Sequence, residues 1–457
     1  MQKMKNGKKV MSVCLSLAMA AGMLSTSAFA SWNVYGGSNN HNAVVTEAPT
    51  RPDKSGLDSY IQLHCTGSGW DGVDNVPVLQ TVNGTTYAYV LYDGYGASGA
   101  LVAKIRCAEN GGSSIVWTTD PYGTEGTSLN AKSGFQLSTP YLDDKGTPDD
   151  ASDDTLYVGT ISQYDDYEGG EWLTGTGSKV MALTGLDQNK PTVTNVLTGI
   201  NGQINTPITT DGTYLYFGTW PGGSNAGTYY QVKLSDYSVK TFTPDSYGFY
   251  WAGAVSDGTN VYFGSDNGLL YWRSIADFDT TGGVLDLTDV ASDAGNVRST
   301  VMLDDGYLYF TTQGGYLWCC SYDDGLTVEW HKKLGATSTS TPTKVGDRIY
   351  VGYYSGFNAG GVQCVSADGS SVKTVVEGDG FPVQSSIVVM GDGTGTDYLY
   401  FNTNAQKGVG YCYSYDGTTG SQVWGTTGDT YALGGMAIDN GYAVFGNDYN
   451  HLYVVHD

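Results

Sequence analysis

Apolar and polar residues alternate with period two along this chain, in short runs separated by Gly and Asp. Such runs read as strands, because successive side chains of an extended chain point to opposite faces. One phrase recurs: a Ser/Thr-Pro-aliphatic start, an Asp/Gly turn, then Leu-Tyr-Phe/Val-Gly-Thr. Clear copies begin at Thr139-Pro140 and Thr206-Pro207 and run to Leu156–Thr160 and Leu215–Thr219. Further copies end in Val261–Ser265, Leu308–Thr312, Ile349–Gly352 and Leu399–Thr403. A weaker first copy holds Val76-Pro77 and Thr86–Tyr89, and a last one holds Gly435-Met436 and Tyr442–Asn447.

Many copies continue into a second phrase, as in Gly315–Ser321 followed by Val328-Glu329-Trp330, or Gly410–Ser414 followed by Gln422-Val423-Trp424. Each unit therefore reads as four short strands, A to D, joined by Gly/Asp turns. Units recur every ~42 to 67 residues, a spacing near that of propeller repeats. Eight units fit the chain. The last lacks strand D, and Ser59–Leu63 can supply it. The pattern predicts an all-β fold: an eight-bladed β-propeller of four-stranded antiparallel blades, closed by pairing N-terminal with C-terminal strands. Closure removes the open edges that a β-array must otherwise protect.

Composition agrees. The 457 residues include 65 Gly and 36 Tyr, and the acidic residues are 39 Asp against 7 Glu. Asp and Gly form turns, whereas Glu forms helices. Hydrophobic residues at 40% exclude a disordered chain. A net charge of −24 excludes a nucleic-acid partner, which needs a basic surface.

Residues 1–30 read as a signal peptide: four lysines, the apolar run Val10–Leu24, then Ala28-Phe29-Ala30. Cys14 lacks the small preceding residue of a lipobox, and no later stretch reads as a membrane span. The chain is expected to be secreted, with residues 31–457 forming a single propeller domain.

The repeat resembles that of the pyrroloquinoline-quinone-like propeller family, whose unit reads Ser-Pro-x-aliphatic, Val-Tyr-Val-Gly-Ser, Gly-x-Leu-Tyr-Ala-Leu-Asp, Gly-x-x-x-Trp. The opening Trp32–Asn42 is also similar to family N-termini. The resemblance covers nearly all of residues 31–457 and implies the fold of a secreted bacterial propeller. For a quinone enzyme it would also imply a Ca²⁺ site with Glu and Asn ligands, an Asp base and cationic quinone contacts. No motif here places these, so the reading is against the quinone. By register, Cys319, Cys364 and Cys412 align with Ala103 and Ala182 as small buried filler in strand C. The vicinal pair Cys319-Cys320 sits within a strand, where a disulfide would distort the backbone. Cys65 and Cys107 fall on opposite rims.

Up-and-down strands put the D–A and B–C loops on one rim and the A–B and C–D turns on the other. The first rim carries aromatic insertions. Trp172, Trp220, Tyr247, Tyr250, Trp251 and Tyr354 are its candidate ligand-binding residues, since Tyr and Trp stack on sugars and anchor protein interfaces. Trp70-Asp71, Tyr92 and Tyr95 add to it, and packing of the loops on each other is the structural alternative. In the A–B turn of the second unit, Asp143, Asp144, Asp149, Asp150 and Asp153 form a candidate Ca²⁺ site. Asp392 and Asp397 form a lesser one. No catalytic motif is found. The function expected is a secreted, non-catalytic binding or scaffold module for a glycan or protein. The alternative is a quinone-dependent oxidoreductase or another propeller-face enzyme.

Overall fold

The computed structural model describes residues 31–457 apart from 66–71, 95–98, 121–125, 130–137, 162–165, 169–170, 174–176 and 324. Residues 1–30 lie outside the description, as do Trp70, Asp71 and Tyr95. The strands form eight antiparallel blades arranged as an eight-bladed β-propeller. In blade 3 the order is Thr209–Thr210, Tyr214–Gly218, Tyr229–Lys233, Val239–Phe242, each strand bonded to the next. First strands of adjacent blades approach one another, as do Thr209–Thr210 and Val255–Ser256, so strand A lines the axis. Blade 8 takes its fourth strand from Ile61–Gln62, which pairs antiparallel with Leu452 and His451. The ring therefore closes with N-terminal sequence, at the place the repeat count required.

In blades 3 and 4, two side chains of the recurring phrase hold the unit to its turn. In blade 3, Tyr216 Oη donates to Asp211 Oδ2 at 2.7 Å, while Asp211 Oδ1 accepts the amides of Thr213 and Tyr214. Tyr262 and Asp257 repeat this in blade 4. In blade 6 Tyr350 donates instead to Asp397 of blade 7, 2.6 Å away, and Arg348 pairs with the same carboxylate at 2.7 Å. Burial is the main cause that pushes these phenols above their ordinary pKa, so they act as donors at neutral pH.

The sequence pattern did not reveal a ninth component. Residues 31–45 fill the axis as a hub. The carbonyls of Trp32, Asn33, Asn40 and Ala43 accept the inward N–H groups of Leu79, Leu142, Leu303 and Val389, in blades 1, 2, 5 and 7. The Asn42 side chain bonds both the N–H and the carbonyl of Lys344 in blade 6. His41 Nε2 lies 2.8 Å from the Ala254 carbonyl in blade 4. Val44–Val45 adds a fifth, parallel strand to blade 7. The physical reason is plain: strand A is an edge, and its inward amides need partners once water is excluded. Gly37 permits the hub's tight turn. It sits at φ +68°, and a Cβ there would lie 2.6 Å from the Trp32 ring.

The six cysteines among the described residues are free. Cys319, Cys364 and Cys412 stand opposite the repeat tyrosines Tyr309, Tyr350 and Tyr400, as Ala182 stands opposite Tyr157. The register of blade 1 departs from the sequence alignment. Ala103 faces Val90, and the slot opposite Tyr89 holds Lys104. Cys319 and Cys320 flank a bulge and pack into different core clusters. Burial pushes the thiols of Cys319 and Cys412 up to about 12, so they are inert filler.

Candidate functional site

At the D–A/B–C end of the axis lies a pocket of about 500 Å³, open solvent at its mouth included. All eight blades contribute to it, mostly through the loop entering strand A. Tyr35 of the hub lines it from below, its hydroxyl sharing hydrogen bonds with Ser386 at 2.5 Å and Thr341 at 3.1 Å. The polar walls include Asn75, Asn205, Thr300, Thr339 and Gln384. Of the lining residues, Asp74 is the one acid and Arg298 the one base.

Of the six candidate aromatics, three lie close together at this rim. Trp220, Tyr250 and Trp251 come together beside this pocket, and Trp251 lines it. Trp220 and Tyr250 meet edge to face at 5.1 Å, and Tyr250 contacts Trp251 at 4.9 Å. Arg298 organises the group. Its Nε and Nη2 donate to the two oxygens of Asp266 at 2.6 and 2.5 Å, and its guanidinium lies 4.3 Å from the Tyr250 ring centroid. Trp220 Nε1 donates to the same Asp266 at 2.9 Å. This bidentate fork fixes the aromatic cluster in place. Tyr354 lies near Arg298, its phenol facing Gln313 and Thr339, and burial raises its pKa. Trp251 has φ +58°, in the left-handed region. Its carbonyl is held by the Gly253 N–H and by Thr300 Oγ1. A bulky residue there costs about 1–2 kcal/mol, and such strain gathers at binding sites.

The remaining candidates stand apart. Tyr247 is pinned by its backbone to Ser224 and Gly227 in the B–C loop of blade 3, and does not line the pocket. Trp172 lies in a β-ribbon, Asp166–Glu168 paired with Glu171–Leu173, whose side chains fall outside the described residues. The five aspartates of the acidic turn bond locally. Asp143 meets Lys145, Asp144 accepts the Gly146 N–H, Asp149 accepts the Asn83 N–H, Asp150 accepts from Ser152 and Asp153 from Thr147. Among the described residues, no three His, Cys, Asp or Glu side chains are grouped to hold a metal ion.

Sequence reasoning missed the residues with unmet hydrogen-bonding capacity. Asn205 is 2% exposed, and neither its Nδ2 nor its Oδ1 has a partner. Asn75 donates to the Leu91 carbonyl at 2.7 Å, but its Oδ1 has no partner. Both precede a residue-Pro step, in the slot that Ser138 fills in blade 2 and Ser340 in blade 6. There the hydroxyl donates to a nearby carbonyl, Thr206 for Ser138. Two asparagines in a serine slot were the available signal.

Comparison with known proteins comes down to the fold. No family model matches the chain, and no curated protein matches it. Solved structures do. BamB from Moraxella catarrhalis shares 14% identity at TM-score 0.52, covering 88% of this chain and 97% of its own. A europium-containing methanol dehydrogenase shares 13% at 0.56, over 93% and 89%. Quinohemoprotein alcohol dehydrogenase from Comamonas testosteroni shares 11% at 0.57, over 92% and 77%. At such identities the likeness shows a propeller fold. Function must come from the site.

Proposed function

We propose that the chain is an exported, non-catalytic binding module of the quinone-propeller-like kind, presenting its D–A/B–C rim to a glycan or protein ligand. The observation that carries this is the cluster of Trp220, Tyr250 and Trp251, fixed by the Arg298–Asp266 fork beside an axial pocket. Rigid aromatic anchors beside a concave polar site are how binding energy is concentrated. The leader-like residues 1–30 support export, and the acidic surface disfavours nucleic acid. Among the described residues no helix is long and apolar enough to cross a membrane. The test is capture of glycans and surface proteins by the purified chain, compared with a Trp220→Ala/Tyr354→Ala variant. Capture should fall at least ~10-fold in the variant, a loss of ~1.4 kcal/mol. Undiminished capture would remove the rim from the function.

Likeness to methanol and alcohol dehydrogenases raises an oxidoreductase as the second reading. The pocket does not fit the quinone. That cofactor is a tricarboxylate, and the one lining cation is already neutralised by Asp266, with the acid Asp74 beside it. Calcium binding by the blade 2 acidic turn stays a proposal. It requires carboxylates now engaged with turn donors to swing onto one ion.

A further inference from the structure

The axial pocket has a chemistry that narrows its ligand, an inference that rests on the binding-module reading. Two buried side-chain amides line it with polar atoms unsatisfied. Leaving a buried donor or acceptor unmet costs about 1–3 kcal/mol, so a partner that supplies both roles gains that much. Asn205 offers a donor and an acceptor at once, and Asn75 an acceptor. A hydroxyl answers either, since it donates one hydrogen and accepts through two lone pairs. The surrounding Thr139, Thr300, Thr339, Ser385 and Gln384 are likewise of mixed donor and acceptor character.

Charge excludes an anion. Arg298 spends its fork on Asp266, Asp74 adds negative charge to the wall, and the whole chain carries −24. A carboxylate or phosphate would enter against that field. Trp251 supplies an apolar wall, held in a strained backbone conformation beside Thr300. A ligand with one apolar face and several neutral hydroxyls matches this lining. The hub decides how it enters. Tyr35, bonded to Ser386 and Thr341, closes the floor, so the pocket opens to one rim and accepts an end rather than the middle of a chain.

We infer that the axial pocket binds a neutral pyranose, as the terminal residue of a glycan, with Asn205 and Asn75 bonding its hydroxyls and Trp251 against its C–H face. The test titrates the full chain with methyl glycosides of glucose, galactose, mannose and N-acetylglucosamine, with glucuronate as the anionic control, by calorimetry and Trp fluorescence. At least one neutral glycoside should bind more tightly than glucuronate. Its affinity should fall ~10-fold or more in Asn205→Ala and in Trp251→Gly. Asn75→Ser, which restores the residue type found in other blades, is the substitute if either variant loses its fold by circular dichroism. No binding by the neutral panel, tighter binding of glucuronate, or affinities within about two-fold of wild type across the folded variants would overturn the inference. Failure of the two readings is distinguishable. If glycan or protein capture is lost in Trp220→Ala/Tyr354→Ala while the glycosides fail, the pocket inference falls and the rim reading stands.

Discussion

The acidic turn of blade 2 and the axial pocket are both dense in polar side chains, yet their hydrogen-bond states are opposite. In the turn, each of five neighbouring aspartates has a donor within its own loop or the next one. In the pocket, side chains brought from different blades include Asn205, whose amide has no partner, and Asn75, whose Oδ1 has none. Local crowding let the aspartates satisfy themselves, because turn amides and hydroxyls come with the turn. Asn205 has no such supply: it is buried, and the residues around it in the pocket come mostly from other blades. A run of similar residues is thus weaker grounds for a site than one side chain whose bonding is incomplete.

Mutations at engaged and at unpartnered polar groups should have opposite effects, and the greatest is expected at Asp397. Asp397 is an engaged carboxylate that is also fully buried, receiving Arg348, Tyr350 and the Gly393 N–H. Asp397→Ala should cost about 3–5 kcal/mol in urea unfolding, because it leaves a largely buried guanidinium unpaired. A loss below ~1 kcal/mol would mean that engagement adds little even when buried. Asn205→Leu should act in the opposite sense. It removes unmet polar atoms at similar volume, and should raise stability by about 1 kcal/mol while abolishing ligand capture in the pocket. Destabilisation with capture intact would show that Asn205 is structural.

A smaller effect concerns pH. Asp154, buried beside the acidic turn, has its carboxyl pushed up to about 6, chiefly by desolvation and against a hydrogen bond from Gln80. The folded state then holds a proton that the unfolded state releases near 4, so this group's contribution is present below about pH 4 and lost as pH rises to 6. Stability of Asp154→Asn relative to wild type should therefore improve between pH 4 and pH 7. An unchanged difference would show an ordinary carboxyl. The smallest effect is expected in the turn itself. Asp149→Asn and Asp153→Asn should each shift stability by no more than ~0.5 kcal/mol. If added Ca²⁺ raises the wild-type Tm by several degrees and those variants abolish the rise, the turn is a metal site after all and the contrast with the pocket fails.

Much of the architecture was legible in the chain. The phrase ending in Leu-Tyr-Phe-Gly marks strand B in blade after blade, and Ile61–Gln62 closes the ring where the eighth unit lacked a strand. In blades 3 and 4 the recurring Tyr and Asp bond each other, as Tyr216–Asp211 and Tyr262–Asp257. Loop parity assigned all six candidate aromatics to one rim, and Trp220, Tyr250 and Trp251 lie together. What escaped was long-range. The hub carbonyls of Trp32 and Asn40 serve blades 1 and 5, a pairing that leaves no periodic trace. Arg298 and Asp266 come from different blades, and neither stands out among loop residues.

The strands, the number of blades and the strand that closes them were all present in the chain itself, since each follows from local alternation and turn chemistry repeated eight times. Only the tertiary structure decided which polar groups are satisfied. Hydrogen-bond completion depends on what eight blades and a threaded N-terminal segment bring within about 3 Å of each atom, and no single repeat contains that information.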